Sequence, residues 1–583
     1  MAHRSIQALF SPLNLRGLVL AWFAWIGVGV SGAYGDQLPV VLDGETDEWS
    51  AVTATTDAAG DGASIDLLAM RLADDDLFLF IRFDVAAELL LNDGHDLTLW
   101  IDTDNNASTG TFVAGIGADL EWRFGDRQGD VTIGGSTDPV YHNDIGLRGA
   151  PAVTATSFEV AIARSSVLAM GSTVRVVLRD EAALGDRIPL APGGVSYTFD
   201  VDPIAPDSEL PTTRELPTDL RFVSFNVKSD APWEGAGNRI GRQIAAIAAD
   251  VYCFQEIYDH SASEVESYVA GWIDPPPGSS WHSASQNDCK IISRFPITQA
   301  WALSGNLAAL LDTTAEWGFP TLVVNAHLPC CGNNSGRQDE VDEILAFVRD
   351  QRSFGVLASN PGTALVFTGD LNLVGDAQQL TSLLDGDVID EATWGSDAVL
   401  DADGSEMTDT VPRQVARRMA YTWRNDSSSF WPGRLDFFIF SDSIIAEGRS
   451  FVLYTPELSS ATLATLGLQS NDSSGSDHFP LVVDLRPAGP PGSTDFRRGD
   501  CNQAGGVSLP DAVNVLAYAF SQVATDCPDA CDFDDDGSVN VGDAVGLLSY
   551  LFGGASGPAA PDGCGSDTTP SGLDPCTSYT GCP

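Results

Sequence analysis

The amino-acid sequence predicts a multidomain protein with three folded modules: a β-sandwich, a region of alternating strands and helices, and a short terminal repeat. Three observations support this prediction. The chain has 583 residues, which is more than one domain usually contains. Two proline-rich segments, 206–217 and 488–495, are expected to be linkers. The hydrophobic pattern also changes from one module to the next.

The overall charge limits the partners of the protein. There are 81 acidic residues and 30 lysines and arginines, which gives a formal net charge of −51. Such an acidic surface repels nucleic acids and anionic lipids as a whole. A polyanionic substrate would therefore need a metal ion or a local basic patch.

Residues 1–35 are predicted to be a signal peptide. Arg4 and Arg16 precede an uncharged apolar run at 17–30, and small residues follow up to Gly35. The alternative is a membrane anchor, but the run is shorter than the ~20 residues that a membrane span needs. No later stretch could cross a bilayer. We therefore expect a secreted protein without a transmembrane segment after signal cleavage.

The cysteines suit an oxidising compartment, since they occur in two even-numbered groups. The middle region has Cys253, Cys289, Cys330 and Cys331, and the last module has six. We expect intradomain disulfides, with Cys330 and Cys331 paired to Cys289 or Cys253.

Residues 36–205 are expected to form the β-sandwich, because short runs alternate apolar and polar residues between Gly, Asp and Asn. Segments 42–50, 100–110 and 117–124 resemble carbohydrate-binding modules of family nine and DOMON-like domains. The resemblance implies a glycan-binding or spacer domain that could hold Ca²⁺. Two ambiguities remain open here. The side chains of Trp49, Trp100 and Trp122 either stack on a sugar or pack in the core. Asp102 and Asp104 either bind Ca²⁺ or form an acidic turn.

Residues 496–583 contain an internal repeat with a Cys-rich tail. Segments 500–511 and 532–543 lie 32 residues apart, and each has oxygen donors at positions 1, 3 and 12 and Gly at position 6. This spacing is typical of an EF-hand-like Ca²⁺ loop entering a helix. The expected ligands are Asp500, Asn502 and Asp511 in the first loop and Asp532, Asp534, Asp536 and Asp543 in the second. The repeat resembles a type I dockerin, although Ala504 replaces an expected acid. The resemblance implies a cohesin-like partner, and the alternative is a Ca²⁺-stabilised terminus.

The middle module, residues 218–487, places polar residues at the ends of apolar strands, where sites of α/β-type proteins collect. The side chains at these ends are carboxylates, amides and imidazoles, which bind metal ions and transfer protons. Six such motifs occur: 224–227, 254–257, 325–328, 369–372, 434–438 and 476–480.

Taken together, these motifs resemble the endonuclease/exonuclease/phosphatase superfamily. The resemblance implies a four-layer αββα sandwich (α+β) that cleaves phosphate esters with Mg²⁺ or Mn²⁺. It assigns Glu256 and Asn226 to the metal, with Asp477 adding negative charge there. It makes Asp370 the group that orients or deprotonates water. The resemblance also implies residues that bind the phosphate group. Asn372 holds the phosphate, and His327 donates a hydrogen bond to it or acts as general acid. His478 contacts the phosphate or transfers a proton, and Asp436 is the carboxylate partner of His478.

The substrate class follows from less specific features. Lys228 stands where abasic-site endonucleases have an acid, which argues against DNA repair. Five arginines precede Asp436 and could form a basic lip, with Arg424 and Arg434 as substrate-binding candidates. They could equally form salt bridges with the abundant acids. Arg413 and Arg417 would share a face if the segment were helical.

We therefore expect an extracellular nuclease acting on DNA or RNA. One alternative is a phospholipid phosphodiesterase similar to sphingomyelinases, with Phe430 and Trp431 serving part of the lipid contact, or another phosphatase. Another is an inactive glycan-binding scaffold, against which the intact motifs argue.

Overall fold

The structure is a computed structural model that describes residues 40–199, 208–488, 496–521 and 527–565, together with residues 525, 573, 576 and 579–582. The predicted signal peptide and most of the second linker lie outside the described residues. No helix in these ranges is long and apolar enough to span a bilayer.

The first module is a β-sandwich, as predicted. One sheet has the order β1-β2-β3-β11-β10, and the other has the order β13-β12-β4-β7-β8-β9 with β14 paired to β12. Strands β5 and β6 form a separate hairpin. The strands are β1 (Thr55–Thr56), β2 (Leu67–Asp74), β3 (Phe78–Leu89), β4 (Leu97–Asp102), β5 (Thr111–Val113), β6 (Ile116–Ala118), β7 (Leu120–Arg123), β8 (Gln128–Ile133), β9 (Ser136–Val140), β10 (Arg148–Ala150), β11 (Ala155–Ala163), β12 (Thr173–Asp180), β13 (Arg187–Ile188) and β14 (Val195–Thr198).

The tryptophans of the sandwich lie in its interior. Trp49 and Trp122 are fully buried and Trp100 is 7% exposed. The Nε1 of Trp49 donates to the buried Glu159, and that of Trp100 donates to Glu181. These side chains therefore pack in the core and are not available to stack on a sugar.

The acidic turn after β4 is the other ambiguous feature. Asp102 accepts a hydrogen bond from the backbone N–H of Asn106, and carboxylate oxygens of Asp102, Asp104 and Asp119 lie within 4.8 Å of one another. The turn therefore groups three acids, two of which the sequence singled out.

The middle module contains two six-stranded sheets, ordered β17-β18-β16-β15-β26-β25 and β19-β20-β21-β22-β24-β23. The strands are β15 (Leu220–Asn226), β16 (Val251–Gln255), β17 (His282–Gln286), β18 (Cys289–Ser293), β19 (Ile297–Leu303), β20 (Asn306–Leu311), β21 (Thr321–His327), β22 (Ala364–Asp370), β23 (Thr408–Asp409), β24 (Asp436–Phe440), β25 (Ile445–Val452) and β26 (Leu481–Pro487). Each of the six polar motifs lies at, or directly next to, an end of one of these strands.

Helices flank the two sheets. They are α1 (Gly237–Ile247), α2 (Ala262–Ala270), α3 (Thr314–Trp317), α4 (Asn334–Phe354), α5 (Val356–Ser359), α6 (Gln378–Asp385), α7 (Glu391–Trp394) and α8 (Ser460–Leu466). Helix α1 packs through Ile240 and Ile244 on the first sheet, and α4 packs through Val341 and Ile344 on the second. A third core, with Phe222 and Phe438, lies between the sheets. The module is therefore the expected four-layer αββα sandwich.

The expected pairing of the middle cysteines was wrong. Cys330 and Cys331 form a disulfide with each other, while Cys253 and Cys289 are buried free thiols. The reason is position: Cys253 and Cys289 lie within strands β16 and β18 in the core between the sheets, whereas Cys330 and Cys331 follow β21 on the exposed surface.

The last module has two helices, α9 (Leu509–Ser521) and α10 (Val541–Gly553), each entered from one of the two acidic loops. Three disulfides cross-link it: Cys501–Cys531, Cys527–Cys576 and Cys564–Cys582. The even number of cysteines in this module therefore corresponds to complete pairing.

Candidate active site

The six polar motifs meet at one edge of the two inner sheets. Strands β15 and β16 run parallel, as do β21 and β22, so their carboxyl ends lie side by side. Strand β24 runs antiparallel to β22, and its first residue, Asp436, lies opposite Asp370 in the register. Residues 476–480 lead into β26 beside β15. The topology thus brings together side chains separated by up to 250 residues.

Asn226 links the two central acids. Its Nδ2 donates to Oε1 of Glu256 at 3.0 Å and to Oδ2 of Asp370 at 2.8 Å. Asp370 is 1% exposed. Burial raises the pKa of its carboxyl to about 6, although the charge of His478 opposes this rise. Asp370 is therefore a carboxylate suited to proton transfer near neutral pH.

Two imidazoles flank Asp370. The Nε2 atoms of His327 and His478 lie 3.7 and 3.5 Å from its Oδ2. The Nδ1 of His478 lies 2.9 Å from Oδ2 of Asp436. Burial opposes the charged form of His478, but the carboxylates of Asp436 and Asp370 outweigh it and raise its pKa to about 10. The site therefore contains a buried imidazolium next to a carboxylate.

His327 has a carboxylate partner that the sequence did not identify. Its Nδ1 lies 2.6 Å from Oδ2 of Asp288. Burial opposes the charged ring, yet Asp288 and Asp370 raise the pKa of His327. Conversely, the hydrogen bond and charge of His327 lower the pKa of Asp288 against the effect of burial. Each imidazole is thus oriented by one carboxylate and faces Asp370 with its other nitrogen.

The donor atoms fit a hard divalent cation. Ligand atoms of Glu256, His327 and Asp370 lie within 4.8 Å of one another, and so do those of Asp370, Asp436 and His478. The Oδ1 of Asp436 is buried and has no hydrogen-bond partner. A cluster of carboxylate oxygens with an unsatisfied buried oxygen is the environment that Mg²⁺ or Mn²⁺ prefers.

An unusual turn holds Glu256 in place. Lys228, Ser229 and Asp230 are three consecutive residues with φ between 48° and 58°, and Glu256 itself has a φ of 60°. The N–H and the Oγ of Ser229 both donate to Oε2 of Glu256. Such left-handed backbone is costly for these residues and persists where surrounding contacts enforce it. Ser229 is therefore a site residue that the sequence pattern did not reveal.

Two predicted residues have other partners. The Nδ2 of Asn372 donates to the carbonyl oxygen of Leu328 at 3.0 Å, and its N–H donates to Asp370. Asp477 pairs with Lys228 at 2.8 Å and belongs to neither of the two clusters above. Asn372 thus supports the loop after β21, and Asp477 lies at the rim of the site.

The predicted basic lip is largely neutralised. Segment 411–435 contains no helix, so Arg413 and Arg417 share no helical face. Arg424 pairs with Asp426, and Arg417 pairs with Glu457. Arg434 forms a bidentate pair with Asp409 and lies over the ring of Phe437 at 4.1 Å. Salt bridges to the abundant acids, the alternative that the sequence left open, account for these three arginines.

The acidic loops of the last module have the same backbone arrangement. In the first loop, Asp500 accepts from the N–H groups of Ala504 and Gly505. In the second, Asp532 accepts from those of Asp536 and Gly537. The carboxylates of Asp532, Asp534 and Asp536 lie within 4.8 Å of one another.

The closing residues of the loops, Asp511 and Asp543, are buried, and burial raises the pKa of Asp543 to about 6. In the first loop, the hydroxyl of Tyr579 also donates to Asp500, 2.6 Å away. Asn502 directs its side-chain oxygen to the N–H of Ala504.

Comparison with known proteins identifies the family of the middle module. Residues 223–478 match the Endonuclease/Exonuclease/phosphatase family. No curated protein matches the chain in sequence.

Similar solved structures include three of low sequence identity. A humanized D. rerio TDP2 is 15% identical over 46% of this chain and 99% of that chain, with a TM-score of 0.29. The human nocturnin catalytic domain is 14% identical over 47% of this chain and 96% of that chain, with a TM-score of 0.29. A family protein from Bacteroides thetaiotaomicron is 18% identical over 46% of this chain and 98% of that chain, with a TM-score of 0.28.

The matched segment includes all the residues of the site, from Asn226 to His478. Its carboxylates and imidazoles are grouped around Asp370 as the chemistry of phosphate esters requires. Residues 223–478 therefore form a domain of the Endonuclease/Exonuclease/phosphatase family, and the chain is a hydrolase of phosphate ester bonds.

Proposed function

We propose that the protein is a secreted nuclease that hydrolyses phosphodiester bonds of DNA or RNA with Mg²⁺ or Mn²⁺. The observation that carries the proposal is the buried group in which Asp370 faces the imidazolium of His478 and is linked to Glu256 through Asn226. This group combines a base, a cation and a metal-ligand set within one edge of the fold.

In this proposal, Glu256 and Asn226 would hold the metal, which when bound would neutralise charge on the phosphoryl oxygens and on the leaving oxygen. Asp370 orients the attacking water and accepts its proton. His478, kept protonated by Asp436, donates to a phosphoryl oxygen as negative charge develops there. His327, oriented by Asp288, donates to a phosphoryl oxygen or protonates the leaving oxygen.

A nucleic-acid substrate is supported by the rim of the site. Lys228 and Arg424 line a cavity of about 250 Å³ together with Tyr454, Ser474 and Asp477. Asp477 and Asp426 also line this cavity and pair with Lys228 and Arg424, so a phosphate that flanks the scissile one would bind here by displacing a carboxylate from one of the two cations. Of the two aromatic residues that could contact a lipid, Trp431 is unavailable because it is buried within the sandwich. This burial counts against a phospholipid substrate.

The experiment measures Mg²⁺- and Mn²⁺-dependent hydrolysis by the purified chain of plasmid DNA, linear DNA, RNA, sphingomyelin and a phosphomonoester. We expect cleavage of DNA or RNA, and a loss of about 100-fold or more in rate for Glu256→Gln and for His478→Ala. Glu316→Gln is the matched control, because Glu316 is an exposed acid of the same domain. Hydrolysis of sphingomyelin alone would replace the nuclease with a phospholipid phosphodiesterase. Unchanged turnover in Glu256→Gln would remove Glu256 from the metal site.

We also propose that the last module binds Ca²⁺ as a dockerin-like repeat. The second loop supports this through its three grouped carboxylates, and the first loop is weaker, because Ala504 contributes no oxygen. Because dockerins bind cohesins, the proposed partner of this module is a cohesin-like protein. Pull-down with a cohesin in Ca²⁺ and in EDTA tests it, and equal recovery in both would overturn it.

A further inference from the structure

The loop that precedes β24 connects the active site to the β-sandwich. Residues 422–435 form a hairpin-like loop, here named the docking hairpin. Its two arms pair through Trp423 and Gly433. Its base contacts Asp436 and residues on both sides of His478, and Trp431 on its second arm enters the first module. We propose that the sandwich is a positioning element of the active site, acting through the docking hairpin, with Trp431 as its anchor. This inference rests on the proposed roles of His478 and Asp436.

The base of the docking hairpin holds Asp436. The Oγ1 of Thr422 accepts hydrogen bonds from the backbone N–H groups of Leu435 and Asp436, both at 3.0 Å. Thr422 is fully buried. The backbone at the start of β24 is therefore fixed by a side chain from the opposite arm of the hairpin.

The first arm of the docking hairpin also forms hydrogen bonds with the residues on both sides of His478. The N–H of Arg424 donates to the carbonyl oxygen of Asp477 at 2.9 Å, and the N–H of Phe479 donates to that of Thr422 at 2.8 Å. His478 lies between these two hydrogen bonds. A displacement of the arm would thus move His478 and Asp436 together.

The second arm of the docking hairpin reaches the core of the sandwich through Trp431, whereas residues 426, 427, 429 and 430 at its tip are exposed. Trp431 is 7% exposed and belongs to the core formed by the two sheets of that module. Its ring meets Trp122 and Phe124 edge-on, with centroids 6.4 and 6.2 Å apart. Gly149 approaches the indole so closely that an added Cβ would lie 2.9 Å from its Nε1. The sandwich therefore has a fitted recess for a residue of the catalytic domain.

Further contacts fix the tip. The carbonyl oxygen of Ser428 lies 3.1 Å from Nε2 of His142. The guanidinium of Arg127 lies 4.2 Å from the ring centre of Phe430. Because these partners come from separate segments of the sandwich, the tip is held in position and orientation rather than at a single point.

Beyond the paired arms, the docking hairpin has no regular secondary structure. The geometry of such a segment therefore depends strongly on the contacts that hold it. Catalytic geometry tolerates little error, and a shift of about 1 Å can reduce a rate by roughly 100-fold. Anchoring of Trp431 in the sandwich thus contributes to catalysis from outside the site.

The test compares Trp431→Ala with Trp100→Ala in the full chain. Trp100 is the matched control, because it is also 7% exposed in the sandwich but packs in a separate cluster with Val113 and Ile116. We expect Trp431→Ala to lower kcat by 10-fold or more with a change in KM below about 3-fold, and Trp431→Phe to restore most of the rate. Trp100→Ala should leave kcat within 2-fold of wild type. A double-mutant cycle with Thr422→Val should show losses that do not add, because both changes act on the same backbone.

Hydrogen exchange supplies a readout that does not need activity. In Trp431→Ala, the amides of residues 476–480 should exchange faster than in wild type, while Trp100→Ala should leave them protected. Unchanged protection there, or a kcat within 2-fold of wild type, overturns the proposal.

A second variant and a readout that does not depend on activity keep the proposal testable. If Trp431→Ala does not fold, Gly149→Ala replaces it, since the added methyl group displaces the indole and should give the same signature. If wild type hydrolyses none of the substrates, the nuclease proposal fails, while the exchange data still decide whether the sandwich positions residues 476–480.

Discussion

The imidazole of His478 and the carboxylate of Asp436 lie 2.9 Å apart, where both side chains are almost completely buried. The ordinary pKa of a histidine is 6.5, and this pair raises the pKa of His478 to about 10 in the folded protein. The folded state therefore holds the proton more tightly than the unfolded state does. The stabilisation is fully present below pH 6.5 and is lost as the pH rises towards 10.

We predict a pH-dependent difference in stability between wild type and His478→Asn. In EDTA, the Tm of wild type should exceed that of the variant most at pH 6.5, and the gap should narrow steadily up to pH 10, because only wild type loses the ion pair. Calorimetry at several pH values measures both. A difference in Tm that stays constant or widens as the pH rises would contradict the assignment of a protonated His478.

A second prediction concerns Asp288, which orients His327. Asp288→Asn keeps the size of the side chain but removes the charge that raises the pKa of His327. We expect kcat to fall by about 10- to 100-fold, with a smaller change in KM. Steady-state kinetics with Asp312→Asn as control tests this, since Asp312 is an exposed aspartate of the same domain. Equal rates for the two variants would show that His327 needs no carboxylate partner.

A third prediction concerns the buried ion pair between Arg221 and Asp484, whose atoms lie 2.6 and 2.7 Å apart in a bidentate arrangement. Asp484→Leu leaves a buried guanidinium without its partner and should cost about 3–5 kcal/mol in the free energy of unfolding. The double variant Arg221→Met/Asp484→Leu should recover most of this loss.

Urea denaturation measures these changes. Asp126→Asn is the control, since Asp126 is 69% exposed in its pair with Arg123 and should change stability by less than about 1 kcal/mol. A double variant as unstable as Asp484→Leu would mean that packing, and not the unpaired charge, sets the cost.

A fourth prediction separates the two acidic loops of the last module. Asp536→Asn should weaken Ca²⁺ binding by about 10-fold or more, because it removes one of three grouped carboxylates. Ala504→Asp should strengthen binding at the first loop, where that position contributes no side-chain oxygen. Isothermal titration with Ca²⁺ measures both. Identical affinities for wild type and Asp536→Asn would exclude the second loop as a Ca²⁺ site.

That the side chains of the candidate site lie together could be predicted because they end apolar strands, which is a local pattern. Asn226, His327 and Asp370 each follow a run of buried residues, and the parallel strands place these ends together. Asp288 could not be predicted in the same way. It follows Gln286 and Asn287 in a tight turn, where an aspartate is ordinary, and its role depends on a contact 39 residues away.

The arginines and Trp431 illustrate the same limit. Arg434 resembles a substrate-binding residue in sequence, but Asp409, 25 residues earlier, neutralises it. Trp431 lies in a segment rich in serine, glycine and proline, and nothing nearby in sequence indicates that its partners belong to another module. Pairings between distant segments are set by tertiary packing, which local patterns do not encode.

The disulfides imply that the modules respond differently to thiols. The bond between Cys330 and Cys331 joins neighbours and encloses no chain, whereas Cys501–Cys531 and Cys527–Cys576 span separations of 30 and 49 residues. Cross-links restrict the unfolded chain more when they close longer loops. A reductant such as dithiothreitol should therefore loosen the last module and leave the hydrolase domain folded, so that the protein would keep its chemistry in a reducing medium while losing the structure of its C-terminus.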